Sequence, residues 1–232
     1  MTVSGISRAA ALFTLFALFA KAPVQGQSIP SPYRYIEHGQ EASALWGTLY
    51  LSTGSLDLGP KTGSFLGGRY VIEASGPLFI EGMLTYLPTV RDVIDPRRAE
   101  GDRSIGETDV HLFMLDARLG FSLTGRRTWN RISPHLFVGG GIAYDAAGMS
   151  GLDEVLLPED VFDFGTAFTA SAGTGVKLAI SSRLMLRADG SLKLWQLTTP
   201  SGFDDEAKQL DSIEQSEWAS GYGVSVSLAL RF

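Results

Sequence analysis

The chain ends on the stretch YGVSVSLALRF, Tyr222 to Phe232, in which every second residue is apolar, starting with Tyr222 itself. The residues between them are glycine, serine, alanine and a single charged residue, Arg231. This alternation has the period of a β-strand, because successive side chains of a strand point to opposite faces. The strand runs into Phe232 with no turn after it. We expect it to be the last strand of a closed barrel, which needs no turn at that point.

Composition limits the classes of protein to which the chain can belong. It has 232 residues, a net charge of -6, 44 % apolar residues and 27 glycines. That length suits one domain, and the negative net charge gives no indication of a nucleic-acid partner. The sequence contains no cysteine, which excludes disulfides and cysteine-based zinc sites.

The N-terminus carries an uncharged apolar run, residues 9–20, directly after Arg8. It is too short for a helix that spans a bilayer, which needs about 20 residues, and it is typical of a secretory signal peptide. We predict a signal peptide over residues 1–26, with a second cleavage site before Pro23 left open. Residues 27–42 are polar and contain prolines, and we interpret them as a periplasmic N-terminal lead-in to a barrel over residues 43–232.

Strand-like runs recur along the rest of the chain. They cover residues 44–54, 64–74, 78–88, 108–123, 135–145, 165–180, 184–197 and 218–232. Some connections are very short, such as SGP at 75–77 and SSR at 181–183, and the long ones are near 89–107, 146–164 and 198–217. Short turns on one side and long loops on the other are typical of outer-membrane barrels. We predict an all-β fold, an eight-stranded antiparallel up-and-down transmembrane β-barrel.

The two faces of the strands differ in composition. The polar face carries ten charged residues: Arg69, Glu73, Glu81, Asp116, Arg118, Lys177, Arg187, Asp189, Lys193 and Arg231. A small eight-stranded barrel has an interior just wide enough for side chains to fill, and charges are tolerated there only when they are paired. We therefore predict a filled polar lumen with these residues as a charge network. In the first strand we expect Leu45, Leu49 and Leu51 to face lipid with Trp46 and Tyr50 inside, although the reverse is open.

Aromatic residues of the apolar face collect at two levels. Tyr86, Tyr144, Phe168 and Tyr222 fall near the long-loop ends of their strands, and Phe121 and Phe232 fall near the short-turn ends. Tyr222 and Phe232 would lie about 25 Å apart along the axis of a tilted barrel. That separation matches an apolar band with an aromatic girdle at each membrane interface.

Two stretches resemble a known family. PHLFVGGGIAYD, Pro134 to Asp145, and GTGVKLAISSRLMLRADGSLKLW, Gly173 to Trp195, resemble the small outer-membrane β-barrel proteins of Gram-negative bacteria, the opacity-protein-like and OmpX-type barrels. The resemblance implies a location in the cell outer membrane, in contact with outer-membrane lipid and lipopolysaccharide. It also implies that Leu228, Leu230 and Phe232 act as the insertion signal read by the barrel-assembly machinery.

The sequence shows no arrangement of catalytic residues. His38, His111 and His135 are scattered, and no His-x-Ser pair of the kind found in barrel-type lipid A deacylases occurs. We expect no enzyme activity, no cofactor and no metal site. Lipid-modifying barrel enzymes and soluble lipocalin-like carriers of an apolar ligand stay as alternatives.

The loops are the remaining feature. Two of them are rich in carboxylates, which we interpret as a solvated acidic rim, with binding of a divalent cation as the alternative. The turn GRRTWNR, with Arg126, Arg127 and Arg131, is interpreted as a solvated basic turn facing the periplasm. The predicted role is structural, or one of interaction at the cell surface through the long loops, with an unknown extracellular ligand.

Overall fold

Ten antiparallel strands form one sheet, and eight of them close into a barrel. The computed structural model describes residues 31–99, 101–204 and 215–232, so the predicted signal peptide lies outside the described residues. The strands are β1 (Tyr33–Tyr35), β2 (Gln40–Leu51), β3 (Gly63–Ser75), β4 (Leu78–Ile94), β5 (Ser104–Ser122), β6 (Arg127–Trp129), β7 (Ile132–Asp145), β8 (Thr166–Ala179), β9 (Leu184–Thr198) and β10 (Ser216–Arg231). Among the described residues, no helix has the length and apolar character needed to cross a membrane.

Each barrel strand pairs with its neighbours in the chain, and β10 closes the ring against β2. The closing ladder runs from Gly221 opposite Leu51 to Arg231 opposite Glu41, and the amide of Phe232 donates to the carbonyl of Gln40 at 3.1 Å. The predicted eight-stranded up-and-down barrel is therefore confirmed, and its last strand ends against its first. Short turns lie at the end of the barrel that carries Phe232, which we call the periplasmic end because outer-membrane barrels have that asymmetry.

The prediction of a long loop near residues 89–107 is wrong in the length of the loop. β4 and β5 continue pairing as far as Ile94 and Ser104, so the connection between them covers only residues 95–103. Lys61 stabilises the hairpin from the side, with its Nζ 2.8 Å from Asp92 and 2.7 Å from Glu107. β4 and β5 are therefore longer than the other strands. The alternation of apolar residues does not predict this extension, because many of the residues in it are polar.

The first barrel strand faces the opposite way to the expectation. Trp46 and Tyr50 are 58 % and 39 % exposed on the outer surface, whereas Leu45 and Leu49 are buried. The register with β10 explains this orientation, because Tyr50 lies opposite the outward-facing Tyr222 and the two rings stack at 4.7 Å. Leu45 and Leu49 are instead part of the interior, and Leu51, also expected to face lipid, is partly buried against the same core.

The lead-in is more ordered than its composition suggested, and the barrel begins earlier. β2 starts at Gln40, three residues before the predicted boundary, and β1 pairs with β6 in the turn between β5 and β7. We call residues 32–39 the strap. Two of its carbonyls accept backbone hydrogen bonds at the barrel mouth. The amide of Asn130 donates to the carbonyl of Pro32 and the amide of Glu73 donates to the carbonyl of Gly39, both at 2.9 Å.

The outer surface is apolar around the barrel. The six residues predicted to form two aromatic girdles all lie on this face: Tyr86, Tyr144, Phe168, Tyr222, Phe121 and Phe232. Phe232 packs against Tyr70 at the periplasmic end, with ring centroids 6.3 Å apart, while Tyr86 packs against Phe113 in the other half, at 4.9 Å. A continuous apolar outer face is what a transmembrane barrel presents to lipid.

Candidate functional site

The periplasmic half of the lumen is filled with charged side chains, centred on Glu81. Arg187 Nη1 donates to Glu81 Oε2 at 2.6 Å, and both side chains are 0 % exposed. Arg69 Nε and Arg118 Nη1 each lie 3.3 Å from Glu81 Oε1. Arg187 belongs to β9 and Glu81 to β4, which are four strands apart in a ring of eight. Their ion pair therefore crosses the full width of the lumen.

A second carboxylate, Asp189, lies beside the first and contacts three basic side chains. Arg187 Nε lies 2.8 Å and His135 Nε2 2.9 Å from Asp189 Oδ1, and Arg69 Nη2 lies 2.9 Å from Oδ2. Arg187 and Arg69 thus bridge both carboxylates. The resulting cluster is shared by five barrel strands, β3, β4, β5, β7 and β9.

Two further groups of ion pairs flank this cluster. Lys193 Nζ lies 2.9 Å from Asp116 Oδ2, and Lys177 Nζ lies 3.1 Å from Glu41 Oε2. Arg231 lies 3.4 Å from Glu41 and 3.1 Å from Glu73. We call the whole set the ion layer; it consists of the ten predicted residues together with Glu41 and His135.

Sequence reasoning missed Glu41 and His135. Glu41 was assigned to the lead-in, although the inward set of β2 includes it two positions before Ser43. Its addition changes the balance of the ion layer from six cations against four anions to six against five. His135 lies inside the predicted run 135–145 and shares the inward face of β7 with Phe137, so the alternation of that run places it in the lumen, whereas Glu41 required the run that begins at residue 44 to be extended by three residues.

The lumen is not polar throughout, because toward the extracellular end it also contains a group of buried apolar side chains, one of which, Met114, has its Sδ 3.4 Å from Lys193 Nζ. We call this group the apolar layer; its buried members on the strands include Leu45, Leu49, Met83, Leu87, Leu112, Met114, Trp195 and Leu197. Three residues of the loops join them, Leu58, Phe162 and Phe203. The loops therefore insert side chains into the barrel and close it from above.

Ion pairs anchor the loops that close the barrel. The guanidinium of Arg91 on β4 donates to both oxygens of Asp153 at 2.8 Å, and both residues are buried. Arg97 binds Asp160 and Glu159, each at 2.8 Å, and the amide of Gly202 donates to the carbonyl of Glu159 at 2.7 Å. The loop after β7 is thus fixed both to the β4–β5 hairpin and to the loop after β9.

These contacts correct the expectation of a solvated acidic rim. Asp153 and Asp160 are buried and bind arginines, although residues 205–214, which hold four of the other acidic positions, lie outside the described residues. Burial alone would raise the pKa of Asp153, but hydrogen bonds from Ser150 and the ion pair with Arg91 outweigh it and hold the pKa below its usual value. In the part of the chain that the structure describes, no group of three or more His, Cys, Asp or Glu is placed to hold a metal ion.

The basic turn is also more than a solvated segment. Arg126 Nε lies 3.1 Å from Glu73 Oε2, and its guanidinium lies over the ring of Tyr35 at 5.3 Å. Arg127 and Arg131 are exposed. Arg126 therefore ties the strap to the periplasmic edge of the ion layer.

The three histidines lie in separate places. His38 belongs to the strap, His111 on the outer face bonds Tyr86 Oη through its Nδ1 at 2.8 Å, and His135 belongs to the ion layer. Within the described residues they do not converge on one site with a serine nucleophile.

Closed topology, an apolar outer surface and short turns at one end together define an integral outer-membrane β-barrel protein. No protein-family model matches the sequence, and no curated protein sequence matches it.

Among solved structures the chain is similar to outer membrane protein OprG from Pseudomonas aeruginosa, with a TM-score of 0.57 and 7 % identity over 87 % of this chain and 99 % of that chain. It is also similar to Neisserial surface protein A, with a TM-score of 0.47 and 14 % identity over 87 % and 98 %. For the outer membrane protein W of E. coli, the TM-score is 0.43 and the identity 13 %, over 84 % of this chain and 98 % of that chain. At 7 % identity the similarity to OprG establishes the fold alone. As a statement about the fold, the expected resemblance to small outer-membrane barrels is confirmed.

Replacing Glu81 with glutamine tests the centre of the ion layer. The change leaves Arg187, Arg69 and Arg118 around a neutral group, and removal of one partner from a buried ion pair costs about 3–5 kcal/mol of unfolding free energy. The measurement is urea unfolding of the refolded barrel in detergent micelles. Glu107→Gln is the control, because Glu107 pairs with Lys61 at an exposed position, where such pairs contribute about 0–1 kcal/mol. Equal unfolding midpoints for the two variants would contradict the central role of Glu81.

The low pKa of Asp153 makes the anchoring of its loop dependent on pH. A carboxylate whose pKa is lowered by folding stabilises the folded state at pH above its unfolded value of about 3.9, and this contribution disappears as the pH falls through the folded value. We expect pepsin to cleave the loop after β7 only at a pH low enough to protonate Asp153 in the folded protein. Arg91→Met removes the ion pair that lowers the pKa of Asp153, so it should shift the onset of cleavage to higher pH. Arg98→Met, which removes an exposed partner of Asp95, serves as the control. Cleavage with the same pH profile in all three proteins would refute the anchor.

Proposed function

We propose that the protein is a closed, non-enzymatic outer-membrane barrel without an open pore, and that its extracellular loops are the surface through which it acts. The main support for a closed lumen is the Arg187–Glu81 ion pair, which crosses the barrel and whose two side chains are both 0 % exposed to solvent. Above it, Phe162 and Phe203 of the loops pack into the apolar layer. Two barriers of different chemistry therefore lie in series along the axis.

The extracellular loops support a role in surface interaction. The loop after β7 is anchored by Asp153 and Asp160, yet Met149, Val155 and Leu157 are exposed on it, at 73 %, 76 % and 43 %. Large apolar side chains held on an ordered exposed segment are a feature of binding surfaces. We propose that this loop provides contacts to a partner outside the cell. No specific observation favours a lipid-modifying activity, and the apolar outer face does not suit a soluble carrier.

Electrical recording tests the closed lumen. We expect the refolded barrel in planar lipid bilayers to show no discrete conductance steps at low voltage, because buried ion pairs such as Arg187–Glu81 cross the lumen. Phe162→Ala combined with Phe203→Ala should also stay closed, since it opens only the upper barrier. Heat-modifiable migration on gels verifies that both proteins are folded. Regular single-channel steps from the wild-type barrel would overturn the proposal.

We further propose that β10 carries the insertion signal, in contact first with the barrel-assembly machinery and then with outer-membrane lipid and lipopolysaccharide. Leu228, Leu230 and Phe232 all face outward on the same side of the strand, each slightly more than half exposed. This face is available to a partner before β10 pairs with β2. The proposal rests on the family resemblance and on this shared outward face.

Substitution of Phe232 by alanine separates the signal from its contribution to the outer surface. We expect Phe232→Ala to lower the amount of heat-modifiable barrel in the outer membrane several-fold, while export into the periplasm is unchanged. Phe121→Ala is a matched control, because Phe121 is another outward aromatic at the periplasmic end with similar exposure. Wild-type barrel levels for Phe232→Ala, or equal losses in both variants, would contradict a specific signal.

A further inference from the structure

A cavity of about 250 Å³ lies at the periplasmic end of the barrel. One side is formed by the strap residues 34–38, and the other by the turn between β8 and β9, including Ser181 and Ser182. Ile36 and the buried Met185 contribute apolar surface to it. It is separate from both layers that fill the lumen, apart from one shared residue, Arg231.

Main-chain hydrogen bonds hold the walls of this cavity in place. The amide of Ile36 donates to the carbonyl of Arg126 at 2.9 Å, and the amide of Ala179 donates to the carbonyl of Arg131 at 2.8 Å. The corner between β6 and β7 has left-handed backbone at two residues other than glycine, Asn130 with φ 47° and Arg131 with φ 70°. Such conformations are unfavourable by about 1 kcal/mol or more and persist where the surroundings determine them. The cavity is therefore preformed by backbone structure.

The charges that line the cavity are mostly positive. Arg34, Arg131 and Arg231 face a single carboxylate, that of Glu37, with His38 beside them. Neither Arg34 nor Arg131 is within ion-pair distance of a carboxylate of the described residues. The full chain has a net charge of -6, so a concentration of guanidinium groups at one cavity is a local departure from the overall charge.

Arg231 supplies the most specific observation. It is 3 % exposed and pairs with Glu41 and Glu73. Nevertheless its Nε and Nη1 have no hydrogen-bond partner among the described residues, as is also true of some other atoms of the ion layer; among these residues, Arg231 also lines the cavity. A buried donor without a partner costs free energy, and a group that brings an oxygen into the cavity would supply that partner. Arg34 and Arg131, on the same cavity, would complete the recognition of such a group.

We propose that this cavity is a binding site for a small anion, a molecule with one carboxylate or phosphate group, at the periplasmic face of the barrel. Guanidinium groups bind planar carboxylates and phosphates through paired N–H donors, which gives geometric selectivity as well as attraction. Cavities for drug-sized ligands have volumes of about 300–1,000 Å³, so this cavity suits a smaller ligand. The anionic group would meet the arginines, and a short apolar part would pack on Ile36 and Met185. The site lies at the opposite end from the loops and does not depend on their proposed role.

Titration of the refolded barrel in detergent micelles tests the site with defined probes. They are inorganic phosphate, N-acetyl-alanyl-alanine with a free carboxylate, and the same dipeptide with a C-terminal amide. Binding is followed by the amide chemical shifts of Ser181 and Ser182 and by calorimetry. We expect saturable binding of phosphate or of the dipeptide acid, which distinguishes a free inorganic anion from the end of a peptide, and no binding of the amide.

The variant Arg34→Gln/Arg131→Gln should weaken binding of the anionic probe by about tenfold or more, because each lost charged donor contributes strongly to binding. Both residues are exposed, so the variant keeps the ion layer and should remain heat-modifiable. Arg127→Gln is the control, since Arg127 is exposed on the same turn but does not line the cavity; its affinity should equal that of the wild type. Three results would overturn the proposal: no saturable binding of either anion to the wild type, equal binding of the amide, or equal weakening by Arg127→Gln.

Discussion

Burial of Glu81 between three arginines is the interaction on which the interior of this barrel depends. A carboxylate without solvent contact is tolerated only when its charge is balanced by close donors. Two donors come from β3 and β5, which pair with the strand of Glu81, and the third comes from β9 on the opposite side of the lumen. The requirement of one residue therefore fixes the position of β9 relative to strands that it does not touch through its backbone. Backbone ladders set the neighbours of each strand, whereas the ion layer sets the shape of the cross-section.

The apolar layer above explains why the ion layer can be dense. Loop side chains such as Phe203 and Phe162 separate the charged groups from water on the extracellular side. Charge interactions strengthen when water is excluded, because the effective dielectric constant falls. The same exclusion makes any unmatched charge expensive, and the addition of Glu41 brings the layer close to neutrality. Polar and apolar filling are therefore complementary parts of one interior.

Much of the fold could be predicted from the sequence because a transmembrane strand must alternate along its whole length. The pattern in Tyr222 to Phe232 extends to the other strands, and it identified ten of the charged residues that line the lumen. The pattern was less informative where the outer face is not required to be apolar. The outer parts of β4 and β5 carry polar residues on both faces and lack a regular alternation, which is why the sequence predicts a loop there. In β2 both faces are apolar, because Leu45 and Leu49 belong to the apolar layer, and composition did not decide which set faced lipid.

The roles of the loop carboxylates had no local signal at all. Asp153 and Glu154 are adjacent acidic residues in the sequence, yet one is buried against Arg91 and the other is exposed. Only the position of Arg91 on the extended β4–β5 hairpin distinguishes them, and that hairpin was itself missed. The periplasmic end shows the same dependence: Arg126 and Arg127 are neighbours, but only the side chain of Arg126 lies over the Tyr35 ring and pairs with Glu73 of β3. At both ends of the barrel, a charged residue acquires its role from a partner on another segment. Side-chain roles at the ends therefore follow from the closed topology, which must be known before they can be assigned.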